Sequence, residues 1–421
     1  MKKVFCMILS AVLALSCVSA LAEDTIKIGG IAPLTGAVSV YGNLVKDGVD
    51  LYIDEVNANG GVLGKKVEMI WKDDTGDAVE ATNAYEQLVS EGVAALIGPV
   101  TTTPTLAVAQ RAAADGMLMI TASATAFAVT GEEGENKDQP YGNVFRACFI
   151  DSYQAELMAV FAQSYEPVQA KKVAVLYDNT NDYSIGLYES FAKKAEELGM
   201  EVVAAESNKE GDADYTPQLT KIADAEPDVL FCTYYYETAA KVLRQGVDVG
   251  LECWVLGADG FSAIADQVKD DPSLLDKVAY SDGFSAEDDS ELVKSFVAAF
   301  SAKYGHEASL FNALGYDAAK ILLTAMETAG TTEKEAVVAA MKATDLTCVT
   351  GHIVFDDHCD PVKSAFIKGF TDGSEVLLER LDPEAGSGNA FQPGAAPPLP
   401  TLYKTRVAES VFGAYAPEKQ P

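Results

Sequence analysis

The chain is short of histidine, tryptophan and positive charge. Its 421 residues include three histidines and two tryptophans. A histidine-based metal or acid–base centre is therefore poorly supplied. Lys and Arg total 31 against 63 Asp and Glu, a formal charge of −32. So acidic a surface repels nucleic-acid phosphates and anionic membrane, which excludes a nonspecific nucleic-acid binder. Enzyme signatures are missing too. There is no Gly-x-Ser-x-Gly, and no Gly-x-Gly-x-x-Gly follows the first strand. Gly64-Lys65-Lys66 lacks the Ser or Thr of a phosphate loop. No segment beyond the N-terminal leader reaches the roughly 20 apolar residues of a membrane span.

What is present is ordinary globular composition, 48% hydrophobic and 22% charged, which excludes wholesale disorder. Residues 1–22 read as a signal peptide. Lys2 and Lys3 precede an apolar run from Val4 to Leu15, and Ala20-Leu21-Ala22 suits cleavage after Ala22. A rival cleavage site, Leu15-Ser16-Cys17, would instead leave a lipid anchor on Cys17. Both readings export the chain. Five cysteines follow the leader, an odd number, so at least one stays unpaired within a monomer. Cys348, His352, His358 and Cys359 form one cluster. A zinc site is one reading; a hairpin closed by a Cys348–Cys359 disulfide is the blander one.

The apolar pattern is that of an α/β protein. Strands are expected at 25–31, 67–71, 94–97 and 118–121, with helices between them, which implies a parallel sheet with right-handed crossovers. The pattern restarts after Asp151, with strands at 173–177, 201–205, 229–233 and 254–256. Helices near 292–304 and 314–328 and a hairpin-like stretch at 349–368 follow. This third part lacks strands for its own sheet and must pack on the first two. Residues 383–421 are rich in Pro, Gly and Ala and read as a tail.

In open α/β sheets ligands bind at the carboxyl ends of the strands. Strand 94–97 runs into Gly98-Pro99-Val100-Thr101-Thr102-Thr103-Pro104, where Pro104 suits the first helical position and Thr103 the N-cap. Free backbone N–H groups and hydroxyls there suit a carboxylate. Thr121-Ala122-Ser123-Ala124-Thr125 is a second hydroxyl-rich loop beside it. The later half offers Tyr183, Tyr234-Tyr235-Tyr236 and Asp259 at strand ends. Such residues suit an ammonium group, by ion pairing and cation–π contact. An α-amino acid would satisfy both halves.

At this point the chain resembles the type I periplasmic (solute-binding) proteins of ABC importers, in the branched-chain amino-acid-binding group. The resemblance covers about residues 25–380. It rests on the order and spacing of Ile26–Gly36, Glu55–Gly64, Leu96-Ile97-Gly98-Pro99, Val144-Phe145-Arg146, Val349-Thr350-Gly351 and Phe355-Asp356. It implies two Rossmann-like lobes with parallel central sheets, joined by a three-crossover hinge. The crossovers would lie near 146–150, 280–285 and 355–361. The N-terminal lobe would be 24–147 plus 284–350, and the C-terminal lobe 148–283 plus 351–382. The implied ligand set is Thr102, Ser123 and Thr125 for the carboxylate, with Tyr183 and Tyr235 or Tyr236 as second-lobe aromatics. Asp259 matches a longer glutamate that holds the ammonium. Tyr41, Val100 and Phe311 would touch the ligand side chain. Gly76 and Thr101 stand where some members carry a disulfide. No cofactor is implied, and the partners would be an α-amino acid, branched-chain or another aliphatic one, held by hinge closure, and a membrane permease, with the chain a monomer. The competing readings are a binding protein for a short amide, urea or an aromatic or aliphatic acid, a receptor sensor domain, and an enzyme on the same fold.

Overall fold

The computed structural model describes residues 25–131, 139–209, 211–361 and 363–381. The leader, Cys17 and the 383–421 tail lie outside the described residues. The first sheet is all parallel, in the order β2-β1-β3-β4-β5. Its strands are β1 Ile26–Ala32, β2 Val67–Asp73, β3 Ala95–Ile97, β4 Met119–Thr121 and β5 Val144–Arg146. Helices α1 Ser39–Ala58, α2 Ala78–Ser90 and α3 Thr102–Asp115 connect them. These strands read as apolar runs because helices cover both faces of a parallel sheet.

Helix α4 (Asp151–Ser164) opens the second body. Strands β6 Lys172–Tyr177, β7 Glu201–Ser207, β8 Val229–Cys232, β9 Trp254–Gly257 and β10 Val278–Asp282 follow. They alternate with α5 Asp182–Glu197, α6 Thr216–Asp224, α7 Tyr236–Asp248 and the short α8 Ile264–Gln267. The chain then makes α9 Glu291–Tyr304, α10 Leu310–Ala329 and α11 Lys334–Lys342, and a small hairpin of β11 Asp345–Cys348 and β12 Gly351–Val354. Finally β13 Ala365–Thr371 and β14 Ser374–Leu381 join the second sheet, whose order is β14-β13-β10-β9-β8-β6-β7.

Three features depart from the sequence reading. The hairpin is earlier and shorter than 349–368, and β13 is not part of it. β13 pairs antiparallel with β10, Asp282 opposite Phe366, and with β14, so the second sheet is mixed rather than purely parallel. The third part of the chain thus shares a sheet already present. Helix α3 begins at Thr102 with Thr101 as its N-cap, not at Pro104 after Thr103. The first four helical N–H groups have no intrahelical partner, so Pro104 at the third position forfeits no hydrogen bond.

The chain leaves the first sheet after Arg146; after β10 ends at Asp282, helix α10 packs back on α1, and the chain rejoins the second sheet at Ala365. Arg146 is fully buried and pairs with Asp360 at 2.5 Å. It also donates to the carbonyls of Ala124 and Phe127 and to the Thr130 hydroxyl. Buried Lys363 donates to the Ala147 carbonyl at 2.8 Å and to the Thr350 hydroxyl. Asp317 on α10 accepts from the N–H groups of Val349 and Thr350, both at 2.8 Å. The passages are therefore tied together by paired, buried polar groups.

Helix α10 packs on α1 with backbone close to backbone. A Cβ on Gly48 would sit 1.9 Å from the Asn312 carbonyl oxygen, and one on Gly315 would sit 2.2 Å from that of Val45. The Asn312 amide donates to Leu44 O across the same seam at 2.8 Å. Overpacking of a core costs typically about 1–3 kcal/mol. Gly315→Ala is expected to lower stability by at least that much. Urea denaturation checks it: an unchanged midpoint would show that the helices can separate freely.

Candidate functional site

The two bodies meet across a cleft floored by the carboxyl ends of the parallel strands. On the first body, the β3–α3 loop turns at Gly98. Its φ is +102°, and an added Cβ would lie 2.1 Å from Ile31 O. The loop delivers Val100, Thr101 and Thr102, all buried, to the start of α3. The adjoining β4 loop is tied to it. Thr121 donates its hydroxyl to Pro99 O at 2.6 Å, and Ser123 donates to Val100 O at 2.9 Å. The Ser123 hydroxyl is thus engaged within the protein. Thr125 accepts the Asp151 N–H at its carbonyl, 2.9 Å away. The two hydroxyl loops lie side by side because β3 and β4 are neighbours. Thr101 makes no side-chain cap bond, and its hydroxyl oxygen is buried without a hydrogen-bond partner.

On the second body, Asp259 follows β9 and is 3% exposed. Its Oδ1 accepts from the Tyr183 hydroxyl at 3.0 Å and from the Gln154 amide at 3.2 Å. Tyr183 accepts from the Gly260 N–H at 3.0 Å and stacks on Tyr235, ring centres 4.9 Å apart. Gly260 must lack a side chain here, since a Cβ would meet the Tyr183 hydroxyl at 2.6 Å. The three consecutive tyrosines diverge. Tyr234 turns away and donates to Tyr177 O at 2.7 Å. Tyr235 joins the site. Tyr236 reaches across the cleft, its hydroxyl donating to Ala37 O at 2.8 Å.

Tyr41 crosses in the other direction. Its hydroxyl donates to Gly260 O at 2.5 Å and accepts the Tyr236 N–H at 3.2 Å. Its ring stacks on Phe311 at 4.3 Å and meets Tyr235 edge-on at 5.6 Å. Asp259, Tyr183, Tyr235, Tyr41, Phe311 and Tyr236 are therefore linked by direct contacts into one buried aromatic cluster. Val100, Thr102, Ser123 and Thr125 lie on the loops of the first body.

Sequence reasoning passed over Asp151 and Gln154. They stand one turn apart at the start of α4, and both are buried. Gln154 bridges the acids: its amide also donates to Asp151 Oδ1 at 3.1 Å, while its Oε1 accepts the Asp259 N–H at 3.1 Å. An acid and an amide at i and i+3 just beyond a crossover were the available signal. Asp151 Oδ2 is buried with no hydrogen-bond partner. Among the described residues neither Asp151 nor Asp259 has an ion-pair partner. Burial pushes the Asp259 carboxyl up to about 7, opposed by the Gln154 and Tyr183 hydrogen bonds. Burial pushes Asp151 up to about 8, and the charge of Asp259 adds to that. The site thus holds two desolvated acids that form no ion pair among the described residues.

Cys348 and Cys359 are both free, buried thiols, so the expected disulfide is not formed here. Cys348 ends β11, whereas Cys359 sits in the following crossover at φ +65°. No group of three or more His, Cys, Asp or Glu among the described residues is placed to hold a metal. No helix among them is long and apolar enough to cross a membrane.

Residues 25–365 match the family model described as periplasmic binding protein. The Leu/Ile/Val-binding protein BraC3 of Rhizobium johnstonii is 30% identical over 353 residues, covering 82% of this chain and 91% of that protein. The crystal structure of the leucine-binding protein LivK from Thermotoga maritima is 32% identical, with a TM-score of 0.78 over 85% of this chain and 99% of that one. The branched-chain amino-acid transporter substrate-binding protein LivJ from Streptococcus pneumoniae, in complex with isoleucine, is 30% identical. Its TM-score is 0.78 over 86% of this chain and 100% of that one. The chain belongs to the periplasmic binding protein family, in the type I group that contains the branched-chain amino-acid-binding proteins. That family works outside the cytoplasm.

The raised carboxyl values set a pH dependence. An acid with a raised pKa in the closed site binds more protons there than in water. Closure is therefore favoured as pH falls below about 7–8, and that advantage is lost as pH rises through the raised values. Small-angle scattering of the ligand-free protein is expected to show a more compact particle at about pH 5 than at about pH 8.5. The double variant Asp151→Asn, Asp259→Asn is expected to stay compact at both. Equal compactness of the unmodified protein at both values would contradict this.

Proposed function

We propose that this protein captures an α-amino acid outside the cytoplasmic membrane and delivers it to the permease of an ABC importer, acting as a monomer and without catalysis. The observation that carries the ligand assignment is the unpaired Asp151–Asp259 set. An ammonium group supplies the charge that two buried carboxylates lack, with the Tyr183 ring and hydroxyl beside it. The ligand carboxylate then lies towards the N-terminus of α3, with Thr102 and the Ser123–Thr125 loop as its partners. Tyr41, Val100, Tyr235 and Phe311 border the side chain, and Tyr236 holds the bodies together over it.

The mechanism is hinge closure. The lobes are 24–147 plus 284–350 and 148–283 plus 351–382, after removal of residues 1–22 by cleavage following Ala22. A ligand shifts a two-state equilibrium only by its differential affinity for the two states. Here the differential comes from contacts made by both lobes at once. A carboxylic acid without an amine is a poor candidate, because it brings a negative charge and no cation to a site that already holds two buried acids.

Losing one charge-assisted hydrogen bond costs about 1.5–3 kcal/mol, roughly tenfold or more in affinity. Asp259→Ala is expected to weaken amino-acid binding by at least that factor, and Thr102→Val to weaken it as well. Isothermal titration calorimetry reads both. Unchanged affinity in Asp259→Ala would remove this residue from the site.

A further inference from the structure

The bodies are joined across the cleft by hydrogen bonds in which no ligand takes part. Tyr236 of the second body donates its hydroxyl to Ala37 O of the first at 2.8 Å. The Tyr41 hydroxyl donates to Gly260 O at 2.5 Å and accepts the Tyr236 N–H at 3.2 Å. The rings of Tyr41 and Tyr236 meet edge-on, centres 4.9 Å apart, and both residues are buried. The Tyr236 N–H opens helix α7, whose first N–H groups have no partner within the helix. The N-cap residue, Tyr235, makes no side-chain bond to them. Tyr41 therefore satisfies one of these donors from the other body, and that bond lasts only while the bodies are together. The remaining tyrosine of the run behaves differently. The Tyr234 hydroxyl donates to Tyr177 O at 2.7 Å and Asn208 O at 2.8 Å, both within the second body.

We propose that residues 37–41 and Tyr236 form a latch that closes the cleft for part of the time without ligand and sets how long a bound ligand is held. The two hydroxyls bond protein groups of the opposite body, so their contribution to closure is the same whatever ligand is present. It acts against the unpaired Asp151–Asp259 set, and the balance of the two decides the ligand-free population of the closed state. Tyr236 is a positioning residue here, because its hydroxyl acts through the opposite body. Encounter occurs with the cleft open and the latch undone. Weakening the latch therefore speeds release and leaves association unchanged. The inference goes beyond the α-amino-acid reading above; only its kinetic test rests on that reading.

Stopped-flow fluorescence on the full chain, with leucine as the probe, reads both rate constants. Tyr236→Phe keeps the ring and loses one bond between the bodies, so dissociation is expected to quicken about fivefold while association stays within about twofold. Tyr234→Phe, which loses bonds inside one body, is expected to leave both rates unchanged. A second measurement needs no ligand. Small-angle scattering at about pH 5, where the site acids oppose closure least, is expected to show Tyr41→Phe more expanded than the unmodified protein. An unchanged dissociation rate in Tyr236→Phe would overturn the proposal, as would a loss of affinity carried by the association rate. Equal compactness of Tyr41→Phe and the unmodified protein would overturn it as well. Failure of leucine to bind the unmodified protein would count against the amino-acid reading alone, and the scattering comparison would then decide the latch.

Discussion

Two buried carboxylates without a cation are the constraint on which the rest of this structure turns. Burying a charge away from water costs several kcal/mol even after relaxation, and only a well-placed counter-charge offsets it. Asp151 and Asp259 share Gln154 as a common hydrogen-bond partner, and Tyr183 adds one more. Neutral donors soften the cost but leave the charge. The closed arrangement is therefore incomplete by itself at neutral pH. Under the function proposed above, a ligand that brings a positive group completes it, and the need for that group is the source of selectivity.

The crossover region shows the opposite arrangement. Arg146 and Asp360 are as deeply buried as the site acids, yet each answers the other at 2.5 Å. Burial lowers the Lys363 ammonium from its usual value, partly offset by Asp317, and carbonyl and hydroxyl acceptors surround it. Paired groups hold the connections between the bodies in one geometry. Unpaired groups sit where the bodies meet. The tight α1–α10 seam, set by Gly48 and Gly315, packs the third part of the chain directly onto the first body.

Much of this was legible in the sequence. The buried parallel strands announced themselves as apolar runs, and their C-terminal loops carried Thr102, Ser123, Tyr183 and Asp259 into view. Tyr41 and Phe311 came only through the family resemblance, because their stacking joins residues 270 positions apart in the chain. Strand β13 was hidden for a similar reason: its partner β10 lies across the whole of α9–α11. Asp151 was passed over because nothing local distinguishes a buried acid at a helix start from a solvated one. Its burial is a property of the packed molecule. The N-cap of α3 was misplaced by two residues because proline is tolerated anywhere in the first helical turn.

The central claim is that the ligand's ammonium completes the site. The most direct measurement compares, by calorimetry, an amino acid that binds with the carboxylic acid that has the same side chain but no amine. The account predicts binding of the amino acid and no measurable binding of the acid. Equal affinity for the two would contradict it.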